Sequence, residues 1–123
     1  MWDFFEDKNM KEFELFKIMY VILDALNDEN KNNLLEMYLS EINPFVWKNT
    51  SGDPYYFNKF KNYIEKYGDA DYGYDTILKY LEDEDYYKGI GLIFKKLEKK
   101  DYLLNAKEII KENPNEFKYY KVS

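Results

Sequence analysis

Residues 11–26, KEFELFKIMYVILDAL, decide the fold. Phe16, Met19, Tyr20 and Leu23 fall at i, i+3, i+4 and i+7, the spacing of one helical face. Ile18, Val21 and Ile22 load other faces too, which puts this helix inside a bundle rather than on its surface. Asp7 or Asn9 is placed to cap its start, and Asn27-Asp28 to begin the next turn. Leu35, Tyr38, Leu39 and Ile42 repeat the spacing in a second helix from about Glu29 to Ile42. It stops at Asn43, because a residue before proline is pushed out of the α region. So short a link makes the two helices antiparallel neighbours.

Four further helices follow. Asp53-Pro54 supplies an N-cap and an N1 proline, and Gly68 stands where a C′ glycine ends a helix. Between them Phe57, Phe60, Ile64 and Tyr67 point inward, with Tyr56 and Tyr63 beside them. Tyr74, Ile77, Leu78 and Leu81 define a short fourth helix. Carboxylates are unfavourable at a helix C-terminus, so Glu82-Asp83-Glu84-Asp85 is expected to open a fifth helix carrying Ile90, Ile93, Phe94 and Leu97. Gly89 and Gly91 weaken that helix, and a short strand at GIGLIF is the alternative. Asp101 caps a sixth to about Lys111, with Leu103, Ala106 and Ile110 inward, and Asn113-Pro114 ends it. The tail FKYYKV, residues 117–122, is either docked in extended form or frayed. Residues 1–123 thus read as a single all-α domain, a compact bundle of about five to six short helices.

The longest irregular stretch is NPFVWKNTSGD, residues 43–53. Phe45, Val46 and Trp47 are expected to fold back and plug the core; the alternative is an exposed aromatic anchor for a partner.

The composition restricts the chemistry. Cysteine, histidine and arginine are absent, which removes disulfides, thiolate metal sites, the commonest general base and the guanidinium fork. What remains is Asp, Glu, Lys, Tyr, Ser and Thr, a set that favours a binding protein over an enzyme. A net charge of −6 disfavours nucleic acid and anionic membranes and favours a basic partner. The N-terminal MWDFFEDKNM has no basic region or cleavage motif of a signal peptide, and the apolar run at residues 18–23 is far short of a membrane span. A cytoplasmic protein without cofactor, monomeric or weakly dimeric, is expected.

The charge is unevenly spread. Residues 65–87 carry eight acids against two lysines, and residues 88–123 carry nine lysines against five acids. Intramolecular pairing of the two lobes is one outcome, solvated helix faces another. The functional reading makes Asp69, Asp71, Tyr72, Tyr74, Asp75, Glu82, Asp83, Glu84, Asp85, Tyr86 and Tyr87 a patch that docks a basic protein. Tyrosine offers broad, rigid contact with a polar tip, and carboxylates steer the encounter. A calcium loop fails on register: from Asp69 position twelve is Tyr80, and from Asp71 position six is Thr76. Asp71 with Asp75, or Glu82 with Asp85, has the spacing of an acid/base couple, but no adjacent signal of a cleft. The lysine-rich end with Tyr102, Tyr119 and Tyr120 makes a weak nucleic-acid face without arginine.

Asn43-Pro44-Phe45-Val46-Trp47, then Ser51-Gly52-Asp53-Pro54 opening a helix with Phe57 and Phe60, then Gly73-Tyr74 opening the next, resembles small proteins of low-GC bacteria. In general character the chain is similar to the acidic helical immunity proteins of contact-dependent and other polymorphic toxin systems. That resemblance implies a stoichiometric inhibitor that occludes a basic, most often nuclease-type, toxin domain, and carries over no binding residue. A phage or mobile-element anti-defence protein mimicking nucleic acid is the alternative, and a small carboxylate-dependent hydrolase a third reading.

Overall fold

In a computed structural model the backbone is described for residues 2–47, 50–84 and 89–112, and side chains from residue 12 onward. Six helices run in order: α1 Trp2–Glu29, α2 Asn33–Ile42, α3 Pro54–Tyr67, α4 Ala70–Glu82, α5 Ile90–Lys95 and α6 Lys99–Glu112, with no strand among the described residues. The all-α bundle follows from the spacing read above. The α1 helix packs against α2 and α3, α4 packs on α5, α3 and α6, and α6 returns to α1.

The first helix begins near residue 2 rather than 11, so Asp7 and Asn9 lie within it. No proline or glycine interrupts residues 2–10, so nothing in the sequence stops the helix from starting early. It also runs on to Glu29, and α2 starts later than expected. Asn32 is the true cap: its side chain accepts from Leu35 N at 3.0 Å, while its own N–H donates to the buried Asn27 side chain at 2.9 Å. The third helix keeps its expected bounds. Asp53 accepts from Tyr55 N at 3.1 Å, Pro54 follows, and Gly68, at φ +89°, donates to Ile64 O at 2.8 Å.

Phe13, Phe16, Leu23, Leu35, Ile42, Phe60, Ile77, Leu81, Phe94 and Tyr102 are among the residues that share one core. Edge-to-face rings thread it: Phe16–Phe60 at 5.1 Å and Phe60–Tyr80 at 5.2 Å between centroids. The second glycine of GIGLIF, Gly91, has a packing reason. A Cβ on Gly91 would stand 2.9 Å from Glu82 Cγ and 3.2 Å from its Cα, so glycine lets α5 close on α4, and the segment is helical, not a strand.

Two expectations are corrected. Phe45, Val46 and Trp47 do not plug the core; they are 40%, 53% and 58% exposed. The loop is tied down by its backbone instead: Asp53 N donates to Glu41 O at 2.7 Å, and Gly52 lies so close to α2 that a Cβ there would be 2.8 Å from Ser40 O. Phe13 and Phe16 already meet Phe57 beneath it, at 5.1 and 5.3 Å. The acidic run does not open the fifth helix either. Glu82 is the last residue of α4, Asp83 its C-cap, and Glu84 is buried. Repulsion from the negative helix end is worth only about 0.3–1 kcal/mol. Burying Leu81 and hydrogen-bonding both following carboxylates outweighs it: Tyr63 donates to Asp83 at 2.9 Å and Tyr38 to Glu84 at 3.0 Å.

Tyrosine hydroxyls join distant segments throughout. Tyr80 donates to Tyr56 O at 3.1 Å, Tyr74 to Leu97 O at 3.0 Å and Tyr102 to Tyr72 O at 2.7 Å. Burial first of all pushes the hydroxyls of Tyr38, Tyr80 and Tyr102 above the ordinary tyrosine value of about 10. Tyr63 is pushed up to about 12, by desolvation and then by Asp83. A raised folded-state value means that the unfolded chain loses these protons first. Stability is therefore whole below about pH 10 and falls as pH rises beyond it. In an alkaline titration Tyr38, Tyr80 and Tyr102 should ionise only together with loss of helical circular dichroism. A smooth tyrosine titration with the helical signal intact would contradict this.

Candidate partner-binding site

Gly68 ends α3 in a conformation that glycine tolerates, and the chain reverses over the next residues. Asp71, Tyr72 and Gly73 then all have positive φ, at 55°, 54° and 75°, one left-handed turn ahead of the regular part of α4. Left-handed backbone costs an L-residue with a side chain roughly 1–2 kcal/mol. Three contacts hold the turn. The Tyr102 hydroxyl fastens the Tyr72 carbonyl, Gly73 N donates to Asp69 O at 3.1 Å, and Lys99 Nζ lies 2.9 Å from Asp71 and 3.3 Å from Asp75. Hydrogen bonds donated to Asp71 and then to Asp75 raise the Lys99 ammonium above its ordinary range.

The proposed patch therefore divides. Asp71, Asp75, Glu82 and Asp83 are exposed, and Asp69 and Tyr72 are partly buried. Tyr74 is not on the surface: it stacks in the core against Phe94 and Tyr102, at 5.5 and 5.1 Å. Glu84 is not on the surface either, because Tyr38 and Lys59 hold its carboxylate between α2 and α3. Asp85, Tyr86 and Tyr87 lie outside the described residues, as do Tyr119, Tyr120 and the 117–122 tail. Lys99 realises the pairing of the acidic and basic lobes. It also occupies the space between Asp71 and Asp75 that a substrate of an acid/base couple would need. Tyr102, assigned to a basic face by its neighbours in sequence, is a core residue.

Beside the turn lies a groove of about 430 Å³, with Glu14, Leu15 and Ile18 of α1 on one wall and Leu103, Lys107 and Ile110 of α6 on the other. Asp69, Asp71 and Tyr72 close one end. Its lining is largely apolar, with three carboxylates and one lysine on it. Of these residues only the three from the turn stood out in the sequence. Leu103, Lys107 and Ile110 fall at i, i+4 and i+7, but that periodicity reads equally well as a face turned into the core. Leu103 and Ile110 are in fact half-buried at its edge.

No group of three or more metal-ligating side chains is assembled among the described residues, and none of their helices is long and apolar enough to cross a membrane. Comparison of the chain with protein-family models, with curated proteins and with solved structures finds no match.

Proposed function

We propose that this chain is a non-catalytic binding protein, an immunity-type inhibitor that occludes a basic, nuclease-type toxin domain in the cytoplasm. One observation carries the reading: the acidic segment has near its start a braced surface turn that borders a largely apolar groove. Apolar lining supplies burial energy and the carboxylates supply steering, the two components of electrostatically guided protein association. The ion pair with Lys99 pre-sets Asp71 and Asp75, so little side-chain ordering remains to be done on binding.

Capture of a partner by tagged protein from the native lysate, at low and then high salt, tests this. A single basic partner that dissociates as salt rises is expected. Neutralising Asp71→Asn, Asp75→Asn and Glu82→Gln together should then slow association by roughly 3–10-fold at low salt, with a smaller effect on dissociation. An association rate untouched by the triple change would remove the acidic surface from the interface. The exposure of Val46 and Trp47 favours one other placement: a partner retained at high salt would dock on that loop, where aromatic burial rather than charge holds it.

A further inference from the structure

Local sequence and local backbone disagree at the start of α4. Asp69 stands at the N-cap position, Ala70 is the strongest of helix formers, and Asp71 puts an acid in the first turn. All three favour an ordinary right-handed start, yet residues 71–73 run left-handed. Residues other than glycine enter that region singly, and here Asp71 and Tyr72 occupy it in succession. In this form the Asp69 side chain caps no N–H of α4, so the turn also forgoes the cap that its sequence provides.

What overrides the local preference comes from α6. Tyr102 donates to Tyr72 O at 2.7 Å from a fully buried ring packed on Tyr74 and Phe94. Lys99 reaches Asp71 at 2.9 Å and Asp75 at 3.3 Å. The helix that supplies both is lightly attached, since Tyr102 and Ala106 are the buried residues among its fourteen. Two glycines bracket the turn and serve as its joints. Gly68, at φ +89°, has open space where a Cβ would stand, and Gly73 lies at φ +75°.

We infer that residues 69–73 form a two-state strap, held left-handed by Tyr102 and Lys99 of docked α6 and relaxing to a right-handed first turn of α4 when those contacts let go. Asp69, Asp71 and Tyr72 line one end of the groove, so the docking of α6 sets whether that acidic rim is in place. A segment with two discrete arrangements, biased by a contact from elsewhere in the chain, is the physical requirement for such coupling. The inference goes beyond the inhibitor reading and does not depend on what the rim binds.

Nuclear magnetic resonance of the isotope-labelled full chain tests it, with no partner present. The coupling between amide and α protons, the intraresidue Overhauser effect and the carbon shifts together report the sign of φ at Asp71 and Tyr72. Relaxation dispersion adds the population of a minor form. The unaltered chain should be left-handed at both residues. Lys99→Met with Tyr102→Phe removes the ammonium and the hydroxyl while keeping an unbranched side chain and the ring. The right-handed population should then rise about tenfold or more, the combined effect of losing one hydrogen bond and one exposed ion pair. Adding Tyr72→Gly to that double variant should bring Asp71 back toward left-handed values, because glycine accepts this backbone without strain. General loosening of the bundle would give no such rescue. If the double variant lacks helical circular dichroism, Lys99→Met alone should still raise the right-handed population by roughly two- to fivefold.

A folded double variant that stays left-handed at both residues would overturn the inference, because the turn would then hold its hand without α6. Right-handed values in the unaltered chain would overturn it too. So would an equal rise with Lys100→Met, which removes the next, exposed lysine of α6 instead. Capture of a lysate partner bears on the inhibitor reading alone, so either conclusion can fail while the other stands.

Discussion

Phe60→Ala should cost about 3–5 kcal/mol of folding stability, the range for truncating a large buried aromatic. Phe60 is fully buried at the centre of the ring cluster, edge-to-face with Phe16 on one side and Tyr80 on the other. It therefore links α3 to α1 and α4 at once. The void left behind cannot be filled by one neighbour, because Phe16 is also engaged by Phe57 and the Tyr80 hydroxyl is tied to the Tyr56 carbonyl. A domain of this size has about 5–15 kcal/mol in hand, so the variant should be marginal at physiological temperature. Urea denaturation with the slope unchanged and the midpoint strongly lowered is the expected result. A loss below about 1 kcal/mol would show that the aromatic cluster is not the mechanical centre of the bundle.

The second large effect is expected at Glu84. Its carboxylate accepts from the Tyr38 hydroxyl at 3.0 Å and pairs with Lys59 at 3.3 Å, its side chain being 3% exposed. Glu84→Leu takes the carboxylate acceptor from the buried Tyr38 hydroxyl, which keeps its hydrogen bond with the Tyr80 hydroxyl. Lys59, 21% exposed, can turn part of its charge to water, so the full 3–5 kcal/mol of a broken buried ion pair is not reached. A cost of about 2–3 kcal/mol is expected, against about 1 kcal/mol for Glu84→Gln, which keeps an acceptor for Tyr38. Adding Lys59→Met to Glu84→Leu should recover part of the loss, because the stranded charge is removed with its partner. Strictly additive losses in that double-mutant cycle would show that the pair contributes nothing by being a pair.

These two sites also show how far the sequence could be read. Phe60 was legible because apolar spacing at 57, 60 and 64 sits between an unambiguous Asp-Pro start and a glycine stop. Helix periodicity is a local signal, and the bundle follows from it. Glu84 was not legible. Nothing within several residues of it marks a buried acid, because Tyr38 and Lys59 arrive from elsewhere in the chain. Charge patterning along the chain treats a run of carboxylates as one surface, while tertiary packing sorts them individually. Trp47 fails in the opposite sense: its hydrophobicity argues for burial, but the loop is held by hydrogen bonds to the end of α2 and leaves the ring outside. The groove needed two facing helices, α1 and α6, brought together from opposite ends of the chain.

The left-handed turn has a consequence for how this chain can change. Asp71 and Tyr72 occupy backbone that glycine would accept with less strain, so each holds the fold below its attainable stability. Selection for heat tolerance alone would therefore find easy gains there. The same replacements would erase the carboxylate that Lys99 clamps and the ring that closes the groove. Thermal hardening of this protein and upkeep of its acidic corner pull on the same two codons in opposite directions.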